Sequence, residues 1–582
     1  MLTTLRTLYP YLIRYRWRYA VGLAALAGKS LTAAALPFVI GLSIDHLTDG
    51  FQWQSLLQWA GLLLGLALVK AGLQYWMRWL LIGISRDIEY EIRSDLFVHL
   101  IHLSRRFYQS YRVGDLMSRA TNDMNAVRLL LGPGIMYSAD ALLTFVAVLA
   151  VMSATDWRLT CLVFLPIPLV SFSVSYFGRQ IHDRFQTVQE KFSEISSAVQ
   201  ENLANVRIVK AFTQEGHQIN RFRDLNEEYV EENLRLIRLW GKFYPLLEVL
   251  IGLTYALVIW YGGRQVLAGS IAVGDFVMFM LYLGLLTWPM IGLGWVVNIV
   301  QRGVASLGRL NELLQQRSEI SEPAEPGLTS GDIRGDLTFN NVSFTYPGSD
   351  RPAVVDVSFY VPTGQMLAIL GPTGSGKTTL MSLVPRIMDA HQGSVLVDGV
   401  DVRSVSLGAL REIVGLVPQD TFLFSRKVRE NISLRAPAAE DWEIFEAAET
   451  ADIARDIAGF PRRFDTLVGE RGITLSGGQK QRTTIARAIL KTPRILILDD
   501  ATSSVDTLTE ETILSNLRTM RRNRTTLIVT HRVSTARQAD RILVMSNGRV
   551  VASGRHDDLV AQGGYYAQLY RKQLIEAELE RV

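Results

Sequence analysis

Six apolar stretches, each about the length a helix needs to cross a bilayer, crowd the first half of this 582-residue chain. They run over Tyr19–Ile44, Leu56–Ile82, Leu129–Ser153, Leu159–Phe177, Phe243–Leu267 and Phe276–Val300. Hydrocarbon offers the backbone no hydrogen-bond partners, so runs this long and continuous must satisfy themselves as helices. Pro37, Pro166, Pro168 and Pro289 fall inside them, which membrane helices tolerate when neighbours re-satisfy the freed carbonyls. Beyond Gln301 the chain reads as an ordinary soluble protein.

Basic residues orient the spans. Arg6, Arg14, Arg16 and Arg18 precede the first, so the N-terminus is expected in the cytoplasm. The segments between spans two and three and between spans four and five are rich in arginine, from Arg86 to Arg128 and from Arg179 to Arg238. The opposite loops, Asp45–Gln54, Ala154–Arg158 and Ala268–Asp275, are short and poor in basic residues. Six crossings then return the C-terminal half to the cytoplasm. The two long loops mix charged and apolar residues at helical spacing over Ile84–Arg106 and Gln180–Trp240, which predicts spans continuing as cytoplasmic arms. These arms should turn near Gln109–Asp115 and Ala211–Glu215.

A segment rich in Glu, Pro, Gly and Ser, Glu319–Gly335, reads as a linker. The expected organisation is a membrane domain over 1–318, the linker over 319–335, a soluble domain over 336–575 and a tail over 576–582. Lys and Arg number 60 against 56 Asp and Glu, and a net charge of +4 argues against a nucleic-acid partner. A lone cysteine, Cys161, excludes an internal disulfide and a Cys-rich metal site.

The soluble half carries the chemistry. The apolar run Gln365–Leu370 leads into Gly371, Pro372, Thr373, Gly374, Ser375, Gly376, Lys377, Thr378 and Thr379, the strand–GxxxxGK[ST]–helix phosphate loop. Its glycines let backbone N–H groups converge on phosphate oxygens, and the following helix adds its positive end. Lys377 should reach the terminal phosphates and the Thr378 hydroxyl should ligate Mg²⁺. Arg494–Asp499 reads as a buried parallel strand whose terminal Asp499 is the acidic Mg²⁺ partner. A further strand, Thr525–Thr530, ends at His531, suited to a γ-phosphate or an attacking water. Ser476, Gly477, Gly478 and Gln479 open a helix over Lys480–Leu490, a second turn whose amides face an anion.

On these motifs the soluble half resembles the nucleotide-binding domain of ATP-binding cassette (ABC) transporters, and the whole chain resembles an exporter half-transporter. The resemblance implies an all-α six-helix transmembrane domain followed by an α/β P-loop NTPase domain, with ATP and Mg²⁺ as cofactors. It makes Tyr346 the aromatic that stacks on adenine and Gln419 the Q-loop residue near Mg²⁺. Gly371–Thr379 become Walker A, Asp499 Walker B, Leu475–Gln479 the signature, Ser503–Asp506 the D-loop and His531 the switch histidine. Thr466–Gly472 is similar to the exporter segment that touches the arms. Phe107–Asp123 resembles the first coupling segment, and Glu201–Phe212 the approach to the second. A multi-pass protein of the inner (plasma) membrane is implied, with both termini cytoplasmic.

One residue departs from the family pattern. Active members carry Glu after the Walker B Asp to position the attacking water, and this chain has Asp500. One methylene fewer pulls the carboxylate back by about 1.5 Å. The site built on this chain's own Walker motifs is therefore expected to bind ATP and hydrolyse it poorly, while its signature is intact. The implied partner is a non-identical half-transporter that supplies the Glu. The alternatives are a homodimer using Asp500 as a slow base, and an ATP-gated channel or regulator. Membrane lipids and an amphipathic drug, lipid or peptide are the other expected partners. Lys29, Lys70, Arg78, Asp140 and Glu248, with Trp76, Trp79, Trp288 and Trp295, are candidates to line a cargo path or to sit at an interface.

Overall fold

A computed structural model describes residues 5–50, 52–323, 333–469, 472, 474–519 and 524–579. Most of the expected linker, residues 324–332, lies outside the described residues, as do 470 and 471 within Thr466–Gly472. The chain forms two compact units, Met1–His99 with Gly114–Gln315, and Leu100–Val113 with Gln316–Val582.

The first unit is helical. Its long helices are α1 (Arg16–Asp49) and α2 (Trp53–His102); after the short α3 (Arg105–Ser110) come α4 (Val113–Thr155), α5 (Trp157–Ala204), α6 (Glu215–Leu267) and α7 (Val273–Leu314). Five of these (α1, α2, α4, α5 and α6) are long and apolar enough to cross a membrane. The apolar described stretch of α7, Val273–Thr287, is shorter, although the helix runs for 42 residues. At 50 and 53 residues, α2 and α6 extend roughly 75–80 Å at 1.5 Å per residue, more than twice the thickness of a hydrocarbon core. The charged segments are thus continuations of spans, with no break at the membrane surface. Proline marks the irregular places: Pro166 caps the restart of α5 at Ile167, and Pro133 sits in a π turn of α4, Leu130–Gly134.

Small residues let α1 and α7 approach closely. A Cβ on Gly274 would stand 2.0 Å from the Gly41 carbonyl oxygen, so no larger residue fits at this crossing. The Tyr282 hydroxyl donates to the Ala34 carbonyl at 2.6 Å, and both lie in a core shared with Val148, Leu159, Val258 and Phe279. Lys29 and Asp140, candidates for a cargo path or an interface, meet each other. Lys29 Nζ donates to both Asp140 carboxylate oxygens at 2.7 and 2.8 Å, and the Ser30 hydroxyl adds a third bond at 3.0 Å. Two opposite charges in a low-dielectric setting neutralise each other when helix packing brings them together. Trp76 and Trp79 meet edge to face at 5.6 Å, and Trp295 meets Tyr137 at 5.1 Å, whereas the Trp288 side chain lies outside the description. Lys70 is partly buried, and Arg78 and Glu248 are exposed.

The second unit holds two sheets. The strands are β1 (Leu337–Phe344), β2 (Val354–Val361), β3 (Met366–Leu370), β4 (Gln392–Val397), β5 (Val400–Asp401), β6 (Val414–Val417), β7 (Ile495–Asp499), β8 (Thr525–Val529), β9 (Arg541–Ser546) and β10 (Arg549–Gly554). An antiparallel sheet has the order β2-β1-β4-β5. The larger sheet, β10-β9-β3-β8-β7-β6, is parallel except for its edge strand β10. Strands β3, β7 and β8 are buried along their whole length, which is why they read as unbroken apolar runs. The helices used below are α8 (Lys377–Leu383), α9 (Gly477–Ile489) and α10 (Thr507–Thr519).

The tip segment carrying α3 groups with this second unit. Ser104, Arg106 and Gln109 wall a cavity of about 300 Å³ together with Phe344, Tyr346 and His391. The turn of the first arm falls within the expected Gln109–Asp115, with α3 ending at Ser110 and α4 beginning at Val113. The second turn lies at a short helix, Val206–Ala211, followed by Gln214 as the cap of α6.

Candidate functional site

Sheet register assembles the site. Ile369 of β3 pairs with Val529 of β8, and Val529 pairs with Asp499 of β7, so three chain segments end level with one another. Ligands bind at the carboxyl ends of such parallel strands, and here the phosphate loop, Asp499 and His531 emerge together. They line a cavity of about 250 Å³ with Tyr346, Gln419 and Asp500. From the loop itself, Thr373, Gly374, Ser375, Gly376, Lys377, Thr378 and Thr379 face the cavity. Gly371 and Pro372 turn the chain behind it.

The glycines are required by geometry. Gly371 has φ +156° and Gly376 φ +94°, and a Cβ on either would stand 2.2 Å from a carbonyl oxygen, of Met545 and Ala353 respectively. Gly374, at φ +79°, meets nothing, which leaves its face of the loop open to a phosphate. Lys377 donates to the Gly371 and Pro372 carbonyls, both at 2.9 Å, so its ammonium is held over the loop. Burial pushes its pKa down, and the Asp499 and Asp500 carboxylates pull it back up. Burial raises the pKa of Asp499; a bond from the Thr378 hydroxyl opposes this and the charge of Asp500 adds to it. The Tyr346 hydroxyl lies 3.0 Å from that of Thr379, which pins the ring beside the loop.

Asp499 Oδ1 is buried with no hydrogen-bond partner. An orphaned carboxylate oxygen beside the Thr378 hydroxyl and the Gln419 amide is an all-oxygen set, suited to a hard cation that also binds phosphate and water. No cluster of three or more His, Cys, Asp or Glu able to hold a metal exists among the described residues. The donors therefore fit Mg²⁺ arriving with a nucleotide, and they do not form a cage that holds metal alone.

Asp500 has φ +51°, a left-handed conformation that Asp tolerates better than most residues, and its amide donates to the Val529 carbonyl at 3.0 Å. That bond ties its backbone to the end of β8. His531 accepts through its carbonyl from Gln573 Nε2 at 2.8 Å while its side chain faces the cavity.

The signature turn stands apart: none of Ser476, Gly477, Gly478 or Gln479 lines this cavity. It is a self-contained capping box, in which Ser476 Oγ accepts from the Gln479 amide at 3.3 Å and Gln479 Oε1 accepts from the Ser476 amide at 3.1 Å. Gln479 also donates to Asp456 at 2.8 Å, so a carboxylate far off in sequence orients it. Sequence reasoning missed Asp456, and likewise Glu510, Arg532 and Gln481, which are buried or partly buried polar groups. No spacing rule marks them, because partners such as Arg532 for Glu510 and Ser503 for Gln481 lie 22 residues away.

A phosphate loop, an acid-tipped neighbouring strand and a separate signature turn on one α/β unit define a nucleotide-binding cassette that follows a helical membrane region. Comparison with known proteins agrees. Residues 19–290 match the family model described as ABC transporter transmembrane region, and residues 354–503 match that described as ABC transporter. The chain is 36% identical over 99% of both chains to the probable multidrug resistance ABC transporter ATP-binding/permease protein YheI of Bacillus subtilis. It is 39% identical to the multidrug resistance-like ATP-binding protein MdlA of Escherichia coli, over 97% of this chain and 96% of that one. It is 33% identical to the ATP-dependent lipid A-core flippase of Syntrophus aciditrophicus, over 96% and 92%. A solved bacterial Atm1-family ABC exporter with ATP bound superposes with a TM-score of 0.78 at 29% identity, over 96% of this chain and 98% of that one. The chain belongs to the ABC transporter family, as an exporter half-transporter with an ATP-binding domain.

Proposed function

We propose that this chain is one subunit of a heterodimeric exporter whose own Walker cavity is the weaker of two ATP sites. The observation that carries the reading is Asp500: its carboxylate lines the cavity, and its amide bond to Val529 opposes any backbone advance that would make up for the missing methylene. A misplacement of about 1 Å at a reacting group can lower a rate about 100-fold. Ser476–Gln479 keep an anion-facing turn that does not serve this cavity, and so they complete a site on another chain.

In this reading Tyr346 stacks on adenine, and residues 371–379 cradle the phosphates. Thr378, Asp499 and Gln419 hold Mg²⁺, which when bound neutralises phosphate charge. His531 faces the γ-phosphate and Asp500 is the impaired base. Two ATP molecules draw the nucleotide-binding units together because each is contacted from both sides, and the arms carry that closure to the spans. ATP does this only by binding the closed state more tightly than the open one. The names of the relatives, multidrug proteins and a lipid A-core flippase, favour amphipathic cargo moved outward across the inner membrane, with both termini cytoplasmic.

The test is to purify the chain alone and compare the ATPase of wild type and Asp500→Glu. Little turnover by the wild type, and a rise on substitution or on adding a Glu-bearing partner, is expected. Brisk turnover by the lone wild-type chain would overturn the heterodimer.

A further inference from the structure

A continuous chain of hydrogen bonds leads away from the Walker cavity to the signature helix without using any nucleotide-facing group. It begins at Arg532, the residue after His531. Arg532 Nη2 donates to the Val505 carbonyl at 3.1 Å, and Nη1 bonds the Glu510 carboxylate. Glu510, on α10, is only 2% exposed. Its other oxygen accepts from the Thr502 and Thr535 hydroxyls, each at 2.7 Å. Thr502 lies two residues past Asp500, and Thr535 lies in the short helix that follows His531. One buried carboxylate therefore joins the segment after the base to the segment after the switch histidine.

The chain continues from Val505 through the turn Ser503–Asp506. The Ser504 amide donates to Gln481 Oε1 at 2.9 Å, and Gln481 Nε2 donates to Ser503 Oγ at 2.9 Å. Gln481 is 4% exposed and sits on α9, the helix that the signature turn opens. The turn also packs directly on the signature residues, since a Cβ on Gly478 would stand 2.9 Å from the Ser504 carbonyl. A buried carboxylate is costly unless fully paired, and charge-assisted bonds to a planar guanidinium are directional. The network therefore holds its members in one geometry and transmits a displacement of any of them.

We propose that Glu510 is a positioning residue that couples what the Walker cavity holds to the orientation of the same chain's signature turn. This links the two ATP sites of the assembled transporter, and it rests on the reading that Ser476–Gln479 complete a nucleotide site on another chain. A shift of His531 toward or away from a γ-phosphate carries Arg532 with it. The fork moves Val505 and Ser503–Ser504, and Gln481 delivers the movement to α9. Glu510 does not line the Walker cavity.

The experiment uses the assembled full-length transporter in lipid nanodiscs, with ATP as the probe, and compares wild type, Glu510→Gln, Gln481→Met and the double variant. Glu510→Gln keeps the shape while removing the charge that holds Arg532. The expected result is a kcat lower by about 10-fold or more, with KM for ATP and the thermal midpoint nearly unchanged, because orientation is lost and binding is kept. The double variant should lose no more than the worse single one, since both cut the same chain. A kcat within about 2-fold of wild type, losses that multiply in the double variant, or a joint fall of kcat, affinity and thermal midpoint each overturns the proposal. Should Glu510→Gln fail to assemble, Arg532→Lys carries the test on the same readouts. If the chain turns out to be a brisk homodimer, the heterodimer reading falls and this test runs unchanged, since each signature turn still faces another chain's cavity.

Discussion

The Walker cavity and the signature turn are built in opposite ways. The cavity needs residues from Tyr346 to His531, brought level by the register of β3, β7 and β8. The turn is four consecutive residues whose first and last cap their own helix. A site spread over the whole unit can change at one corner without collapsing: at Asp500 a hydrogen bond ties the backbone to the end of β8, while the side chain is one methylene shorter than Glu. A turn made of four residues has no such freedom, and here all four are present. In the proposed reading, this contrast separates a chain that lends its turn from one that hydrolyses for itself.

The largest expected effect tests the corner at Asp500. Asp500→Glu should raise turnover at the chain's own cavity by about 100-fold, measured as ATPase of the purified chain, and leave the signature side unchanged. Next, Lys377→Ala removes a charge-assisted contact and should weaken ATP binding by about 10- to 100-fold, read with a fluorescent nucleotide. It should leave the chain able to complete a partner's site; loss of both functions would erase the distinction. Third, Ser476→Ala deletes the cap of α9 and should cost about 1 kcal/mol, seen in thermal unfolding, while lowering turnover at the partner's site alone.

The smallest effect is electrostatic. Burial raises the pKa of Asp499 in the folded chain, so the fold retains that proton more strongly than the unfolded chain does. Stability without nucleotide should therefore fall as pH rises from the ordinary Asp value through the raised one, a penalty absent at lower pH and complete above it. Asp499→Asn should flatten that slope in chemical denaturation at a series of pH values, and Mg²⁺ with ATP should flatten it in the wild type. No comparable slope is expected from the signature turn, which carries no carboxylate of its own.

Much of this was legible beforehand for a physical reason. A span must be apolar for its whole length, a strand buried on both faces must be an unbroken apolar run, and a phosphate loop must have glycine where Cβ would strike a carbonyl. Each requirement leaves a local mark, as at Gln365–Leu370 and Gly371–Thr379. The pairing of Lys29 with Asp140 left none, because the partners are 111 residues apart and either alone reads as an isolated intramembrane charge. The hold of Glu510 on Arg532 was equally silent.

The sequence by itself determined the class of element at each place, the loop that receives phosphate, and the single methylene missing at position 500. Tertiary structure alone decided which polar groups meet: the orphaned oxygen of Asp499, the tether on the Asp500 backbone and the polar chain from Arg532 to Gln481. Backbone conformation depends on neighbours along the chain, so it is written locally. The environment of a buried charge depends on whatever the fold brings beside it, and that is settled only when sheets and helices have packed.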